Sequence, residues 1–216
     1  MSKQNVEKEV KILNIDSSYV NNRLVELGAK KVLDAVTYII TFDVVNTIIF
    51  KKIPKKYREI IKQAKNLTKN GKSLKEQNIH LRVRKQVDQY ELTLKYKAKK
   101  EENSKVKNEV ENNIHLTKDE WALIEKTFLL AGLTVIARQE KQRTSYILNQ
   151  IKFDIDTWPT MPSYVEIEAS TEKEIEDGIR ILKIKNPVLS NLSGQKLFSK
   201  YGINFYSDLI FNRPKY

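Results

Sequence analysis

Seven short segments of this chain carry charged residues at alternate positions. In Val6-Glu7-Lys8-Glu9-Val10-Lys11-Ile12, strand periodicity puts Glu7, Glu9 and Lys11 on one face and Val6, Val10 and Ile12 on the other. Leu81-Arg82-Val83-Arg84 repeats the arrangement with two guanidiniums, and Glu91-Leu92-Thr93-Leu94-Lys95-Tyr96-Lys97 does so with Thr93, Lys95 and Lys97. The pattern continues in Glu109 and Glu111, Lys141 and Arg143, Asp154 and Asp156, and Glu166 and Glu168. A solvated sheet face explains any one of these strands. It does not explain seven together, whose opposite faces are apolar enough to need a covering layer.

The charged face is therefore expected to line the inside of a barrel, with eight acids and seven bases facing one another. Crowded carboxylates in a low-dielectric space repel. Divalent cations relieve that repulsion and bridge phosphate oxygens, while Arg and Lys grip the rest of a polyanion. Both signs on one surface thus point to a metal–polyphosphate complex, with Mg²⁺ or Mn²⁺ as the ion.

The elements that must position these residues are strands punctuated by helices. Strands are expected at 6–13, 36–43, 44–50, 79–86, 89–98, 106–115, 139–148, 150–156 and 163–169. One helix runs from about Ser17 to Leu27 and stops at Gly28. A second opens with the capping box at Thr117–Glu120 and stops at Gly132; a third opens at Thr171 with Glu174 three residues on; a fourth covers Ser193–Tyr201. No repeat or linker divides the 216 residues, so one domain spanning 1–216 is expected. With no cysteine, any metal must be held by oxygen or histidine. No segment reads as a secretion signal or membrane span, which leaves a cytoplasmic protein. The segment 51–75 holds ten basic residues against one acid, a net +9 of the chain's +12, and its apolar residues recur at helical spacing between Pro54 and Asn70-Gly71.

From Glu7-x-Glu9-x-Lys11 onward the chain resembles the CYTH proteins, also called triphosphate tunnel metalloenzymes. The likeness continues in order through LRVR (81–84), LTLK (92–95), NEVE (108–111), KQR followed by Tyr146, FDID (153–156) and VEIE (165–168). It implies an α+β fold: a closed eight-stranded antiparallel β-barrel with helices packed outside, the basic helix at about 51–75 being an insertion. It implies a divalent metal held by Glu7, Glu9, Asp156, Glu166 and Glu168, and phosphates held by Lys11, Arg82, Arg84, Lys95, Lys141 and Arg143. Lys97 and Asp154 join these by facing direction, and Glu109 and Glu111 are metal ligands or counter-ions to arginines. Glu9, as base, and Lys11 are the expected catalytic residues.

The activities implied are hydrolysis of tripolyphosphate, thiamine triphosphate or a nucleoside triphosphate, or cyclisation of ATP by a class IV adenylyl cyclase. A non-catalytic module for polyphosphate or RNA 5′-triphosphate ends is a further alternative. The best-known cyclases of that family carry a His-Phe pair before ExExK; the six residues before Glu7 include no histidine, which favours hydrolysis. Expected partners are a small triphosphate, an RNA 5′ end through the basic segment, no membrane, and a second copy in a homodimer. His80, His115, Trp121 and Trp158 are expected in structural roles, Trp158 with the option of stacking a ring.

Overall fold

The computed structural model describes residues 6–44, 47–68, 72–97 and 107–211, leaving out the side chains of 6, 7 and 107–109. The fold is α+β. Nine strands form one antiparallel sheet: β1 (Val6–Leu13), β2 (Lys30–Asp43), β3 (His80–Gln86), β4 (Gln89–Lys97), β5 (Lys107–Leu116), β6 (Thr134–Leu148), β7 (Ile151–Trp158), β8 (Met161–Ala169) and β9 (Val188–Ser190). Their order is β5-β4-β3-β2-β6-β7-β8-β1-β9, and β1 pairs additionally with β5, from Val6 opposite Val110 to Glu9 opposite Lys107. Five helices accompany them: α1 (Ser17–Glu26), α2 (Lys55–Leu67), α3 (Lys118–Leu130), α4 (Glu172–Ile181) and α5 (Gly194–Lys200). No described helix is long and apolar enough to cross a membrane.

The helices cover the apolar strand faces. α2 and α3, with Ile53 just before α2, pack Tyr57, Ile60, Ile61, Ile124 and Phe128 against Phe42, Leu81, Val83, Leu92 and Leu94. α1 and α4 pack Val20, Leu24 and Ile175 against Val10, Ile12, Phe153, Ile155, Val165 and Ile167. Each such side chain contributes about 1.5–3 kcal/mol by leaving water, so the apolar faces fix the strands' orientation and the charged faces take the other side. Local signals start the helices where the sequence predicts. Asp16 accepts from the amides of Ser18 and Tyr19, and Thr117 and Thr171 form complete capping boxes with Glu120 and Glu174.

Four expectations change. The strand at 44–50 is absent from its described residues: Asp43 accepts from the amides of Val44 (2.8 Å) and Leu74 (2.9 Å), which turns the chain off the sheet, and Phe50–Lys52 form a 3-10 turn. β2 and β6 extend beyond 36–43 and 139–148, because the extra residues of each strand pair along the backbone with the predicted part of the other, from Lys30 opposite Ile147 to Asp43 opposite Thr134. A ninth strand, β9, lies on β1, too short to carry a period. In the basic segment Pro54 precedes α2 as its cap, and the predicted stop at Asn70-Gly71 lies outside the described residues.

Candidate active site

The concave polar face encloses a cavity of about 280 Å³. Sheet register builds its acidic wall: across the β1–β8 pair, Glu9 lies opposite Glu168 and Lys11 opposite Glu166. One carboxylate oxygen each from Glu9, Glu166 and Glu168 falls within 4.8 Å of the others. Lys11 Nζ sits between two of them, 2.6 Å from Glu166 and 3.0 Å from Glu9. Burial alone would raise the Glu9 carboxyl, but Lys11 and Lys95 outweigh it and hold it at about 2. Glu168 goes the other way. Burial pushes it up, and Glu166 and Asp154 add to that against the pull of Lys152. An all-oxygen group of three crowded carboxylates, in which Glu166 raises the proton affinity of Glu168, fits a hard divalent cation.

Cations line the same cavity, Lys95 within 3.4 Å of Glu9 and Arg143 within 3.2 Å of Glu166. β3 presents Arg82 and Arg84, β4 Lys95, and β6 Lys141 and Arg143, all on the cavity. Arg84 pairs with Glu91 at 2.5 Å. Arg143 and Lys141 are anchored from behind by Asp154 and Asp156, which are fully buried. Asp156 accepts from Arg143 at 2.6 and 2.7 Å and from Lys141 at 2.8 Å; Asp154 accepts from Arg143, from Ser145 at 2.6 Å and from Lys152 at 2.9 Å. Burial and Arg143 push Lys141 down to about 8 despite Asp156.

Arg82 differs from its neighbours. Its Nε is buried without a hydrogen-bond partner, as is the hydroxyl of Thr93 directly opposite it in the β3–β4 register. Burial and Arg84 lower its proton affinity. A buried donor without a partner, on a residue that lines a cavity, is what a phosphate oxygen would satisfy.

The structure therefore brings Glu9, Lys11, Arg82, Arg84, Lys95, Glu111, Lys141, Arg143, Glu166 and Glu168 onto one cavity. Asp154 and Asp156 stand behind it as counter-ions, outside the three-carboxylate group. Lys97 does not reach the cavity; as the last residue of β4, opposite Glu109, it is exposed. The side chains of Glu7 and Glu109 lie outside the described residues. Sequence reasoning missed Lys152, which lines the cavity and pairs with Glu168 at 2.8 Å. The signal was present, since Lys152 shares the period-two face of Asp154 and Asp156. His80, expected in a structural role, and Gln139 also line the cavity on the faces of Arg82 and Lys141. Trp158 is buried, donates to the Tyr164 hydroxyl at 3.1 Å, and has Lys141 Nζ 5.6 Å from its ring.

A fold and site of this kind define a class in which charged strands surround a polyanion. The model of the CYTH domain family matches residues 67–193, and the chain belongs to that family. Solved structures share the fold. A protein of Pyrococcus horikoshii aligns at TM-score 0.57 with 21% identity, over 83% of this chain and 92% of its own. A candidate adenylate cyclase from Vibrio parahaemolyticus aligns at TM-score 0.60 with 11% identity, over 91% and 99%. A candidate adenylyl cyclase from Hippeastrum, described as having a dominant triphosphatase activity, aligns at 0.54 with 13% identity, over 92% and 96%. No curated protein matches the chain in sequence.

Proposed function

We propose that this chain is a single-domain, divalent-metal-dependent triphosphate hydrolase whose first eight strands work as a closed tunnel. The β1–β5 pairing supports the closed reading. The observation that carries the function is the convergence of Glu9, Glu166 and Glu168 with Arg82, Lys95, Lys141 and Arg143 on one cavity. The triphosphatase described for the Hippeastrum protein agrees with it.

Phosphoryl transfer asks little of a protein beyond positioning and charge neutralisation. Glu9, Glu166 and Glu168 would hold the cation, which supplies charge neutralisation and Lewis acidity at phosphorus. A carboxyl held at about 2 is a poor proton acceptor near neutrality, so Glu9 acts as a ligand rather than the base the sequence suggested. Against burial, Glu166 and Glu9 keep Lys11 protonated well above the usual lysine range, suited to donating to a phosphate oxygen. Arg82 supplies a guanidinium already desolvated, its Nε without a partner, and Arg143, fixed by two aspartates, holds its place without reorganising.

Incubating the purified chain with tripolyphosphate, ATP or thiamine triphosphate, each with Mg²⁺ or Mn²⁺, and identifying the products tests this reading. Orthophosphate release is expected. Cyclic AMP with pyrophosphate would make the chain a cyclase, and tight binding without turnover would make it a binding module.

A further inference from the structure

Lys152 stands beside the three-carboxylate group and pairs with a single member of it. The register of β1, β8 and β7 puts Glu9, Glu168 and Lys152 in one row across the sheet, and Lys11, Glu166 and Asp154 in the next. Lys152 Nζ lies 2.8 Å from Glu168 and 2.9 Å from Asp154, its neighbour on the same face of β7. Glu9 and Glu166 share Lys11, and each has a further cation, Lys95 for Glu9 and Arg143 for Glu166. Among the described residues Glu168 has Lys152 alone.

An ammonium that bridges two carboxylates does the work a divalent ion does in the same place. Hard divalent cations meet carboxylate oxygens at about 2.0–2.6 Å and an ammonium does so at about 2.7–2.9 Å, so one pair of carboxylates accommodates either. The side chain of Lys152 lines the cavity and is 39% exposed, so it stands where an ion arriving from solution would meet Glu168 and Asp154. Two of its three N–H donors are taken by these acids, which leaves the third for a phosphate oxygen. Phosphoryl-transfer sites often clamp the substrate between two cations.

We infer that Lys152 stands in place of a second divalent ion, so that the cavity takes one ion, at Glu9, Glu166 and Glu168, and carries the other positive centre built into β7. The inference rests on the metal-dependent reading above and gives it a stoichiometry. The resident ammonium excludes another cation from the Glu168–Asp154 pair by occupying their oxygens and by like-charge repulsion.

Counting bound Mn²⁺ tests it. The purified chain, without substrate, is titrated with Mn²⁺ and the free ion is followed by electron paramagnetic resonance, for the wild type, Lys152→Met and Lys152→Gln. Lys62→Met serves as the control, since it removes the same charge from an exposed position on α2. Asp154 keeps Arg143 and Ser145 in both Lys152 variants, so β7 stays anchored. The wild type and Lys62→Met are expected to bind a single ion per chain, and both Lys152 variants a second, weaker one. A second ion in the wild type, a second ion in Lys62→Met, or a single ion in the Lys152 variants at whatever affinity, would overturn the inference and leave the metal-dependent reading standing. No bound ion in the wild type would overturn the assignment of Glu9, Glu166 and Glu168 as ion ligands, and this inference with it. Should Lys152→Met not fold, Lys152→Gln decides by the same count.

Discussion

Arg143 grips Asp156 with two nitrogens, Nε on one carboxylate oxygen at 2.6 Å and a terminal amino group on the other at 2.7 Å. Lys141 adds a third contact to the same carboxylate, so both oxygens are committed to cations that face the cavity. Breaking a buried pair by removing one partner leaves an uncompensated charge. Asp156→Ala is therefore expected to cost about 3–5 kcal/mol of stability, read from denaturant unfolding, and to loosen tripolyphosphate binding as Arg143 loses its fixed geometry. A variant with wild-type stability would show that the clamp is dispensable.

Glu168 should behave in the opposite way. Its charge is disfavoured by burial and by two neighbouring carboxylates, and Lys152 keeps Asp154 as a partner when Glu168 is neutralised. Glu168→Gln is expected to leave the melting temperature unchanged or raised while lowering kcat/KM by about two orders of magnitude. Glu9→Gln should lose activity similarly. Full activity in either variant, or activity in metal-free buffer, would contradict the metal-dependent reading.

Arg82 offers a trade between stability and binding. Its buried, unpartnered Nε costs the empty protein free energy that a bound phosphate returns. Arg82→Ala is expected to hold or increase stability and to weaken triphosphate binding by about 1.5–3 kcal/mol, the range for a hydrogen bond to a charged group. Diphosphate binding should suffer less. Equal losses for the two ligands would detach Arg82 from any particular phosphate.

The sequence carried the charged lining because it rests on a period of two, which burial of the opposite face enforces strand by strand. Lys152 obeys that period and was readable in principle. Lys97 obeys it too, yet β4 ends there and the cavity does not extend so far. Asp43 turns the chain through two backbone amides, one belonging to Leu74, thirty-one residues away in sequence. No local pattern announces such a contact. Phe198 and Phe205, which line the cavity, were equally silent, because an aromatic residue at the end of a cavity has the composition of ordinary core. The family resemblance implied a metal-binding role for Asp156, and its contacts to Arg143 and Lys141, which occupy both its oxygens, were not legible in the sequence.

Acid should destabilise the fold through His80 before it does so through the carboxylates. Burial, with Arg82 and Lys95 nearby, pushes the imidazole down to about 3, well below its ordinary value. Below about pH 6.5 the unfolded chain takes up a proton there that the folded chain refuses until about pH 3, so stability falls as pH drops through that window. Glu9, held at about 2, begins to lose its contribution only below the usual carboxylate range. Between about pH 5 and 6.5 the loss of stability on acidification comes from His80, while Glu168, pushed up by burial and its neighbouring carboxylates, contributes in the opposite sense. Unfolding free energies of His80→Asn across that interval should be flatter than those of the wild type. Parallel slopes would mean that the imidazole is solvated.

α2 begins on the side of the cavity opposite α5, which packs on Leu13, Trp158 and Met161. Lys56 pairs with Glu120 at 2.9 Å, and Glu120 lies in the first turn of α3, just after β5 ends at Leu116. That end of β5 lies with the start of β7 and the end of β8, where Lys152 and Glu168 stand. Lys51, Lys55 and Lys62 are exposed and enter no ion pair among the described residues, whereas Arg58 and Lys65 are committed to backbone carbonyls. If these lysines raise the local concentration of anions at the mouth, reversing all three to Glu should lower kcat/KM for tripolyphosphate severalfold at low ionic strength. The deficit should shrink as added salt shortens the screening length from about 30 Å at 0.01 M to about 8 Å at 0.15 M. It should be larger for a 5′-triphosphorylated RNA, whose backbone offers further charges outside the cavity. Lys56 is left unchanged so that the packing of α2 on α3 is preserved. A triple variant that matches the wild type at every salt concentration would reduce this face of α2 to a solvated surface.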